Sequence, residues 1–351
     1  MKSPGKTLEE MIIRNGMSRS ELAKRIDISE KHLSTVINGE KGISASFARK
    51  LGYVFENTQF WLNVQADYDN EQLRIKEENS ITAEEISVLK NLQDITKYFV
   101  SQGYIQNDCS DAIKVMRLRE FLKVSNLLLI PNVTYNAAYR AQLSKNAKVD
   151  PYVTFAWQRL CEKKTENISA VEKLNIEKLS ASLQIIKDYM FQDINDGIQG
   201  LQEILAACGI KFHVVKNFRG APVQGFIKEC ADGQLIMCLT IRRQRADTFW
   251  FTLFHEIAHV LHGDYSSRFV DFDKSQNEME IQADSFAADF LIDPVLYREF
   301  LQTHRDINWQ DIEKFANLIH VRPYIVVGRL QNDGILDWSD YSARIPQYSW
   351  A

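Results

Sequence analysis

Apolar residues recur three and four positions apart through most of the chain, which is the spacing of an amphipathic α-helix. This pattern predicts a first helix over residues 7–14 and continues almost without a break over residues 82–205. Short apolar runs at 211–215 and 235–239 predict strands, and two further helical patterns follow them. The sequence therefore predicts a mainly α protein of the α+β class, with a short antiparallel sheet in its C-terminal part.

Serines stand at positions in the first seventy residues where they can cap helices. Ser18 followed by Glu21 is a capping-box pattern that opens a second helix. Ser29 can cap a third helix over residues 30–38, and Ser44 can cap a fourth. Because about four residues join the second helix to the third, the rhythm is that of a helix-turn-helix bundle.

The predicted third helix has an apolar and a polar face. Leu33, Val36 and Ile37 would face the core, and the polar residues on the other side can meet base edges in a major groove. These outward residues are Lys31, His32, Ser34, Thr35 and Asn38. Cations that can contact phosphates are Lys24, Arg25, Lys31, Arg49 and Lys50.

The charge of this segment differs from that of the whole chain. Residues 1–60 hold ten Lys and Arg against seven Asp and Glu, a net charge of +3 in a chain whose net charge is −4. This asymmetry favours DNA binding by the segment. The alternative, on periodicity alone, is a small helical bundle used for protein contacts.

Changes in composition predict three parts. Residues 1–70 form the helix-turn-helix domain, residues 71–195 a helical linker or scaffold, and residues 196–351 a small C-terminal domain. The highly charged segment 68–80 is the expected connector between the first two parts, and a weaker boundary is expected at 193–197.

Composition also bounds the class of protein. The chain has 351 residues, of which 45% are hydrophobic and 25% charged, as in ordinary globular proteins. No run of about 18 uncharged apolar residues predicts a membrane span, and Pro4 and Gly5 interrupt the N-terminus where a signal peptide would be apolar. The five cysteines have no C-x-x-C spacing, so we expect reduced thiols in a cytoplasmic protein without a membrane partner.

The residues His255, Glu256 and His259 form an H-E-x-x-H motif in a predicted helix over residues 248–262. At ~100° per residue, the large apolar residues of this helix occupy one broad arc and the motif occupies the opposite one. Two His residues four apart on one helical face can direct both imidazoles at a single metal ion. The pattern predicts a buried helix with one polar stripe and a metal site on it.

A catalytic zinc needs a third protein ligand and an open position for water. The next helical segment, residues 277–294, offers Glu280 as that ligand and is expected to stop at Pro294. Asp284, one turn after Glu280, can accept the N–H of a ligand His.

Two neighbouring residues are weaker candidates for the metal site. Glu278 is the alternative third ligand, although it points away from the side of the helix that carries Asp284. His262 lies seven residues from His255, a rise of ~10.5 Å that is too long for both to bind one ion. We expect His262 to end the helix before Gly263 or to line the cleft.

A peptidase mechanism follows as a hypothesis. Glu256 would take a proton from the attacking water and deliver it to the leaving amine. The predicted strand at 233–240 could hold an extended peptide by edge pairing. The group that stabilises the oxyanion stays open among four candidates, which are Tyr265, Arg268, His304 and Tyr324.

The segment from residue 4 to residue 68, with its ending Phe60-Trp61-Leu62-Asn63, resembles the DNA-binding domain of HigA-type antitoxins in the Xre repressor class. The sequence departs from that family at Asp27, where the turn usually holds Gly, but Asp tolerates positive φ better than most residues. The resemblance implies a homodimer that binds an inverted-repeat operator in double-stranded DNA and represses its own promoter.

The segment from Asp247 to His262 resembles the signature of the ImmA/IrrE family of metallopeptidases. So does the segment 280–288, which reads Glu-x-x-Ala-x-x-Phe-Ala-Ala, although Asp293-Pro294 stands where the family has Met-Pro. The likeness covers roughly residues 200–335. Residues 129–132 with Tyr139-Arg140, and residues 156–157, resemble linker helices of regulators that fuse the two kinds of domain.

This second resemblance implies a small zincin-like fold that cleaves a repressor partner. Carried over residue by residue, it implies Zn²⁺ ligation by His255, His259 and Glu280 and catalysis by Glu256. Asp284 keeps the supporting role that its spacing predicts.

Two hypotheses result. In the first, the protein is a DNA-binding transcriptional regulator of antitoxin type with a zinc-dependent endopeptidase domain, whose substrate is a protein partner such as a toxin or repressor. In the alternative, it is a non-enzymatic antitoxin or repressor whose zinc domain senses a signal or binds a partner. Glu256 favours the first, because a structural zinc site needs no general base and usually fills all four positions.

Overall fold

The computed structural model describes residues 2–55, 57–106, 110–133, 149–168, 173–241, 244–266, 275–304 and 306–348. Helices make up 67% of the structure, with one small three-stranded sheet in the described part. This confirms the predicted mainly α class with a small sheet. Among the described helices, none has both the length and the apolar character needed to cross a membrane.

The chain divides into two compact units. The N-terminal unit comprises residues 1–86 and 109–116, and the C-terminal unit comprises residues 87–108 and 117–351. The division into three parts with boundaries after residues 70 and 195 stays a prediction.

The N-terminal unit begins with five helices. They are α1 (Pro4–Arg14), α2 (Arg19–Arg25), α3 (Glu30–Ile37), α4 (Ala45–Phe55) and α5 (Thr58–Ser80). Their apolar faces enclose a core in which Leu8, Leu22, Leu33, Leu51 and Trp61 are fully buried.

Serine caps fix where these helices begin. The Oγ atoms of Ser18 and Ser29 accept hydrogen bonds from the backbone N–H groups of the third helical residues, both at 3.1 Å, as the sequence predicts. Helix α1 starts earlier than predicted, at Pro4, because Ser3 caps it and proline fits a first helical turn. Asp27, in the turn between α2 and α3, has a φ of +50°. This left-handed conformation is the one that the sequence comparison predicts for a position where the family usually has Gly.

Residues 68–80, the predicted charged connector, form the second half of α5. Arg74 lies between two carboxylates on the helix surface, 2.9 Å from Glu71 and 3.2 Å from Glu78. Ion pairs three and four residues apart stabilise an exposed helix. A dense mixture of opposite charges therefore extends this helix instead of ending it.

The remaining helices continue through the C-terminal unit. They are α6 (Ala83–Asn91), α7 (Gln93–Ser101), α8 (Asp111–Leu122), α9 (Pro151–Thr165), α10 (Ile176–Asp188), α11 (Ile194–Ala207), α12 (Ala246–His262), α13 (Ser275–Leu291), α14 (Pro294–Thr303), α15 (Trp309–Leu318) and α16 (Pro323–Asn332). Helices α6 and α8 each contain residues of both units. Short 3₁₀ helices cover Leu127–Asn132, Tyr189–Phe191, Asp264–Ser266 and Ser342–Arg344.

The sheet consists of β1 (Ile210–Val214), β2 (Gly225–Glu229) and β3 (Leu235–Leu239), in the spatial order β1-β3-β2. Strand β3 is antiparallel to β2 and parallel to β1, so the sheet is mixed instead of wholly antiparallel. The tight β2–β3 hairpin reverses the chain, which sets β3 parallel to β1. Because β3 is the central, fully buried strand, the prediction that residues 233–240 offer a free edge is wrong.

Helix α12 lies at the centre of the C-terminal unit. It contacts β2, β3, α10, α13 and α16, and Phe249, Trp250, Leu253, Phe254 and Ile257 on it are buried. Pro294 does not directly stop α13, which ends at Leu291; it is the first residue of α14. The α12–α13 pair carries the H-E-x-x-H motif and its candidate third ligand.

Candidate metal centre and helix-turn-helix surface

The three motif residues point inward from α12. The exposed fractions of His255, Glu256 and His259 are 6%, 3% and 0%. The helix reaches His262 and ends at Gly263, whose φ of +76° closes it in a left-handed turn. A helix that buries two imidazoles and a carboxylate must provide partners for each of them.

Helix α13 brings Glu280 to the two imidazoles. The Nε2 atoms of His255 and His259 lie 2.9 Å apart. The Glu280 carboxylate reaches both, with one oxygen 3.2 Å from Nε2 of His255 and the other 3.7 Å from Nε2 of His259. One ligand atom from each of these three residues lies within 4.8 Å of the other two.

Carboxylates on the outer side of the rings fix their orientation. Nδ1 of His255 lies 2.8 Å from an oxygen of Asp284, and Nδ1 of His259 lies 3.3 Å from an oxygen of Asp264. A ring that donates from Nδ1 presents the lone pair of Nε2 on its other side. Asp284 thus lies where its spacing predicts, whereas Asp264 is a partner that sequence reasoning missed.

These three residues fit a metal ion. Two Nε2 lone pairs facing each other at 2.9 Å repel unless a cation or a proton lies between them. Zinc–nitrogen bonds of ~2.0–2.1 Å in tetrahedral geometry would separate the two nitrogens by ~3.3 Å, close to the distance found. The donor set of two imidazoles and one carboxylate leaves a fourth position for water.

The electrostatics of the metal-free site are dominated by His255. Burial lowers the pKa of its imidazole, but its hydrogen bonds with Asp284 and Glu280 raise it. With the added charge of Glu256, the result is a pKa of about 10. These carboxylates therefore favour the charged imidazolium form of His255 in the metal-free protein.

The weaker ligand candidates lie apart from this cluster. Glu278 is exposed near the start of α13. His262 is also exposed, and its ring contacts the edge of Phe286 with centroids 6.0 Å apart, in a surface depression away from the metal centre. His262 is the last residue of α12, which is one of the two positions predicted for it.

A cleft of about 400 Å³ opens beside the motif. It is lined by Gln224, Asp247, Thr248, Phe251, Thr252, His255, Glu256, Asp284, Ala287, Ala288, Gly328, Arg329, Asn332 and Trp338. At the end of the cleft remote from His255, Arg245 fixes the lining residue Asp247. It donates two hydrogen bonds to Asp247 and one to Gln331. The contributions of Arg329, Asn332 and Trp338 come from distant parts of the chain and carry no local sequence signal.

The four oxyanion candidates do not line this cleft where they are described. Tyr265 packs against the core of the unit, and Tyr324 is buried and hydrogen-bonded to Tyr348. His304 contacts the backbone carbonyl of its own helix. Arg268 lies outside the described residues.

Helix α3 presents the predicted polar surface. Leu33, Val36 and Ile37 are buried, as expected, while Lys31 and Asn38 are exposed and His32, Ser34 and Thr35 are half-buried. The side chains of His32 and Thr35 make contacts within the unit. The ring of His32 packs edge-on against Phe47 with centroids 5.6 Å apart, and the hydroxyl of Thr35 donates to the carbonyl of His32.

We predict that the free energy of unfolding of the metal-free protein falls as pH rises from about 6.5 to about 10. The folded-state pKa of His255 is raised to about 10, so its protonation stabilises the folded state fully below the unfolded value of ~6.5, and this contribution is lost as pH rises through the folded value. Chemical denaturation across this window should give a slope of at most ~1.4 kcal/mol per pH unit from this group.

Replacement of His255 by Asn should flatten that slope. The matched control is His320→Asn, because His320 is exposed and its replacement should leave the slope as in the parent. Equal slopes for the parent and the His255→Asn variant would contradict the assignment.

Comparisons with known proteins separate the chain into two regions. Residues 226–329 match the family model Peptidase_M78, described as the IrrE N-terminal-like domain. The N-terminal region is 40% identical over 72 residues to virulence-associated protein A′ of Dichelobacter nodosus, a match that covers 20% of this chain and 63% of that protein.

A solved structure also resembles the N-terminal region. It is an addiction module antidote protein of the HigA family from Coxiella burnetii, 32% identical, with 23% of this chain and 95% of that chain covered and a TM-score of 0.20. The chain spans less than two thirds of the length of the curated relative that it matches. Residues 226–329 are therefore similar to the IrrE N-terminal-like domain of the Peptidase_M78 family, and the N-terminal region is similar in sequence to virulence-associated protein A′.

Proposed function

We propose that the C-terminal unit is a zinc-dependent endopeptidase and that the N-terminal unit binds an operator in double-stranded DNA. The observation that carries the peptidase proposal is the convergence of His255, His259 and Glu280 beside a buried Glu256 that lines an open cleft. The match to a peptidase family over residues 226–329 supports it.

Zinc is the metal that suits this donor set. Two imidazoles and a carboxylate are the ligands of many catalytic zinc sites, and a fourth position stays open to water. A zinc ion bound there would polarise the scissile carbonyl and make water nucleophilic near neutral pH. Asp284 and Asp264 would hold the two imidazoles in the tautomer that presents Nε2.

Glu256 would move the protons of the reaction. Its carboxylate accepts a proton from the attacking water and delivers it to the nitrogen of the leaving amine. It is buried yet lines the cleft, so it can reach a substrate and is shielded from bulk water. A general base in this position distinguishes a hydrolytic site from a structural metal site.

The strand at the edge of the sheet nearest to this base is β2. It starts at Gly225, which lies against Glu256, and it pairs along one edge with the central strand, while its other edge pairs with no strand in the described part of the sheet. An extended substrate can add to such an edge through main-chain hydrogen bonds. Strand β2 thus takes the role that the sequence had given to residues 233–240.

The DNA proposal is supported by the geometry of the N-terminal unit and by its relatives. Lys31 is exposed on α3, the helix that follows the turn, and Asn38 is exposed at the C-terminal cap of that helix. The HigA-family relative is described as an addiction module antidote protein, so we expect a toxin, or a repressor, as the protein partner and substrate. A homodimer on a two-fold symmetric operator would fit this class of domain.

We predict that Glu280→Gln lowers zinc affinity at least about tenfold, because the amide loses the negative charge that faces both imidazoles. Competition with a chromophoric chelator measures this affinity. The matched control is Glu278→Gln on the same helix, which should bind zinc as the parent does. Zinc affinities that are equal in the Glu280 variant and the parent would rule out this ligand set.

We predict that Glu256→Gln keeps zinc affinity within about twofold of the parent but lowers turnover at least about 100-fold, since the amide cannot accept the proton. A peptide library digested with the parent and analysed by mass spectrometry identifies a cleaved sequence, and a synthetic peptide of that sequence gives kcat and KM. Equal cleavage by both proteins would refute the role of Glu256. A zinc-loaded parent that neutralises its partner without cleaving any peptide bond would instead support the non-enzymatic alternative.

We predict that Lys31→Ala combined with Asn38→Ala weakens specific DNA binding about tenfold or more, as expected for the loss of groove contacts. A gel-shift titration on a duplex from the region upstream of the protein's own coding sequence measures this. Lys6→Ala is the matched control, because Lys6 is an exposed cation on α1 and is not among the residues predicted to contact bases or phosphates. Unchanged affinity of the double variant would count against α3 as the recognition helix.

A further inference from the structure

The first residue of β2 lies directly against the carboxylate of Glu256. A Cβ atom placed on Gly225 would lie 1.9 Å from Oε1, 2.3 Å from Cδ and 2.7 Å from Cγ of Glu256. Non-bonded carbon atoms pack at about 3.5–4.0 Å. Any side chain at position 225 therefore occupies the space that the carboxylate of Glu256 takes.

The backbone of β2 is fixed on this side of the contact. The N–H of Thr240 donates to the carbonyl of Gln224 at 2.8 Å, and the hydroxyl of Thr240 donates to the carbonyl of Val223 at 2.8 Å. Gly225 itself pairs with Leu239 of the central strand. Retreat of Gly225 from Glu256 would break these bonds at the edge of a buried sheet.

Helix α12 is fixed on the other side. Its residues next to Glu256 pack into the core, where Leu253 and Ile257 have no exposed surface. Movement of the helix away from β2 would also disturb its contacts with α13. The atom group that can yield to a methyl at position 225 is therefore the end of the Glu256 side chain.

We propose that Gly225 is a positioning residue for the general base. The absence of a side chain at this position leaves the space in which the carboxylate of Glu256 sits, facing the cleft and beside the metal ligands. This inference rests on the proposed peptidase function. In this proposal Gly225 positions the base Glu256, whereas His255, His259 and Glu280 would hold the metal.

The test compares Gly225→Ala with the parent in the full chain. We expect zinc affinity within about twofold of the parent, a KM that changes little and a kcat at least about 100-fold lower, which is the contribution of a positioned base. Crystal structures of both zinc-loaded proteins should show the Glu256 carboxylate displaced from the cleft in the variant. A purely structural role of Gly225 would lower the melting temperature without this split between kcat and KM.

A second variant tests the cause directly. Glu256→Asp shortens the base by one methylene and should lower kcat in the parent. Added to Gly225→Ala, it should raise kcat relative to the Gly225→Ala single variant by about tenfold, because the shorter side chain fits beside the new methyl. If Gly225→Ala does not fold, the double variant should restore folding; a double variant that also fails to fold would show that the glycine serves the strand alone and would overturn the proposal.

Gly200→Ala is the matched control. A Cβ at Gly200 would lie 2.1 Å from the ring of Tyr189, so it creates a similar collision away from the metal centre and should leave kcat unchanged. A folded, zinc-loaded Gly225→Ala protein with the parent's kcat refutes the positioning role. If the parent itself cleaves no peptide, the proposed function fails, and an undisplaced Glu256 in the crystal structure of the variant would separately refute the inference about Gly225.

Discussion

The C-terminal unit depends on the burial of two imidazole nitrogens that face each other at 2.9 Å. Such an arrangement is stable when a positive charge lies between the lone pairs and negative charges lie around them. This requirement explains why α13 packs against α12 with small residues: Ala283 and Ala287 are buried in the contact, which lets Glu280 reach both rings. The contact between the two helices thus places a carboxylate of α13 against the polar stripe of α12.

The same helix meets a second constraint on its other side. Glu256 is buried one residue after His255, so α12 needs room for a carboxylate where β2 crosses it, and that room exists because position 225 is glycine. Lys187, on α10, adds a further restraint at the far end of α13, where its ammonium donates to the carbonyls of Phe290 and Leu291 at 3.3 and 3.0 Å. The candidate metal ligands and the candidate base thus share α12 but contact different neighbours, which are α13 for the two imidazoles and β2 for Glu256.

Patterns local to one element predicted the structure well. The period of α12, the H-E-x-x-H spacing and the serine caps of α2 and α3 depend on neighbours within a few residues, and each lies where expected. Elements whose position depends on long-range pairing were harder to predict from the sequence. Strand β2 was missed because its sequence, Gly-Phe-Ile-Lys-Glu, has no clear alternation, and the role of β3 as central strand depends on β1 pairing with it from a distance in sequence.

The site divides in the same way. Glu280 and Asp284 could be selected because they lie one turn apart on a recognisable helix. Asp264 has a weaker signal, since it matters only because the turn at Gly263 brings it back to within 3.3 Å of His259. The cleft residues Arg329 and Trp338 come from segments whose position depends on the packing of the whole unit.

Charge balance around α12 links the metal, the proton and the fold. Four carboxylates, those of Glu256, Asp264, Glu280 and Asp284, surround two imidazoles. The guanidinium of Arg245, at the other end of the cleft, is paired with Asp247 and Gln331. In the metal-free protein the proton on His255 offsets part of the negative charge, which is why its pKa rises despite burial. A dication held by His255, His259 and Glu280 would offset the same negative charge and would compete with that proton, because the Nε2 lone pair of His255 can bind only one of them. Metal binding would then be an alternative to the protonation of His255 as a way to satisfy one electrostatic requirement of the α12–α13 pair.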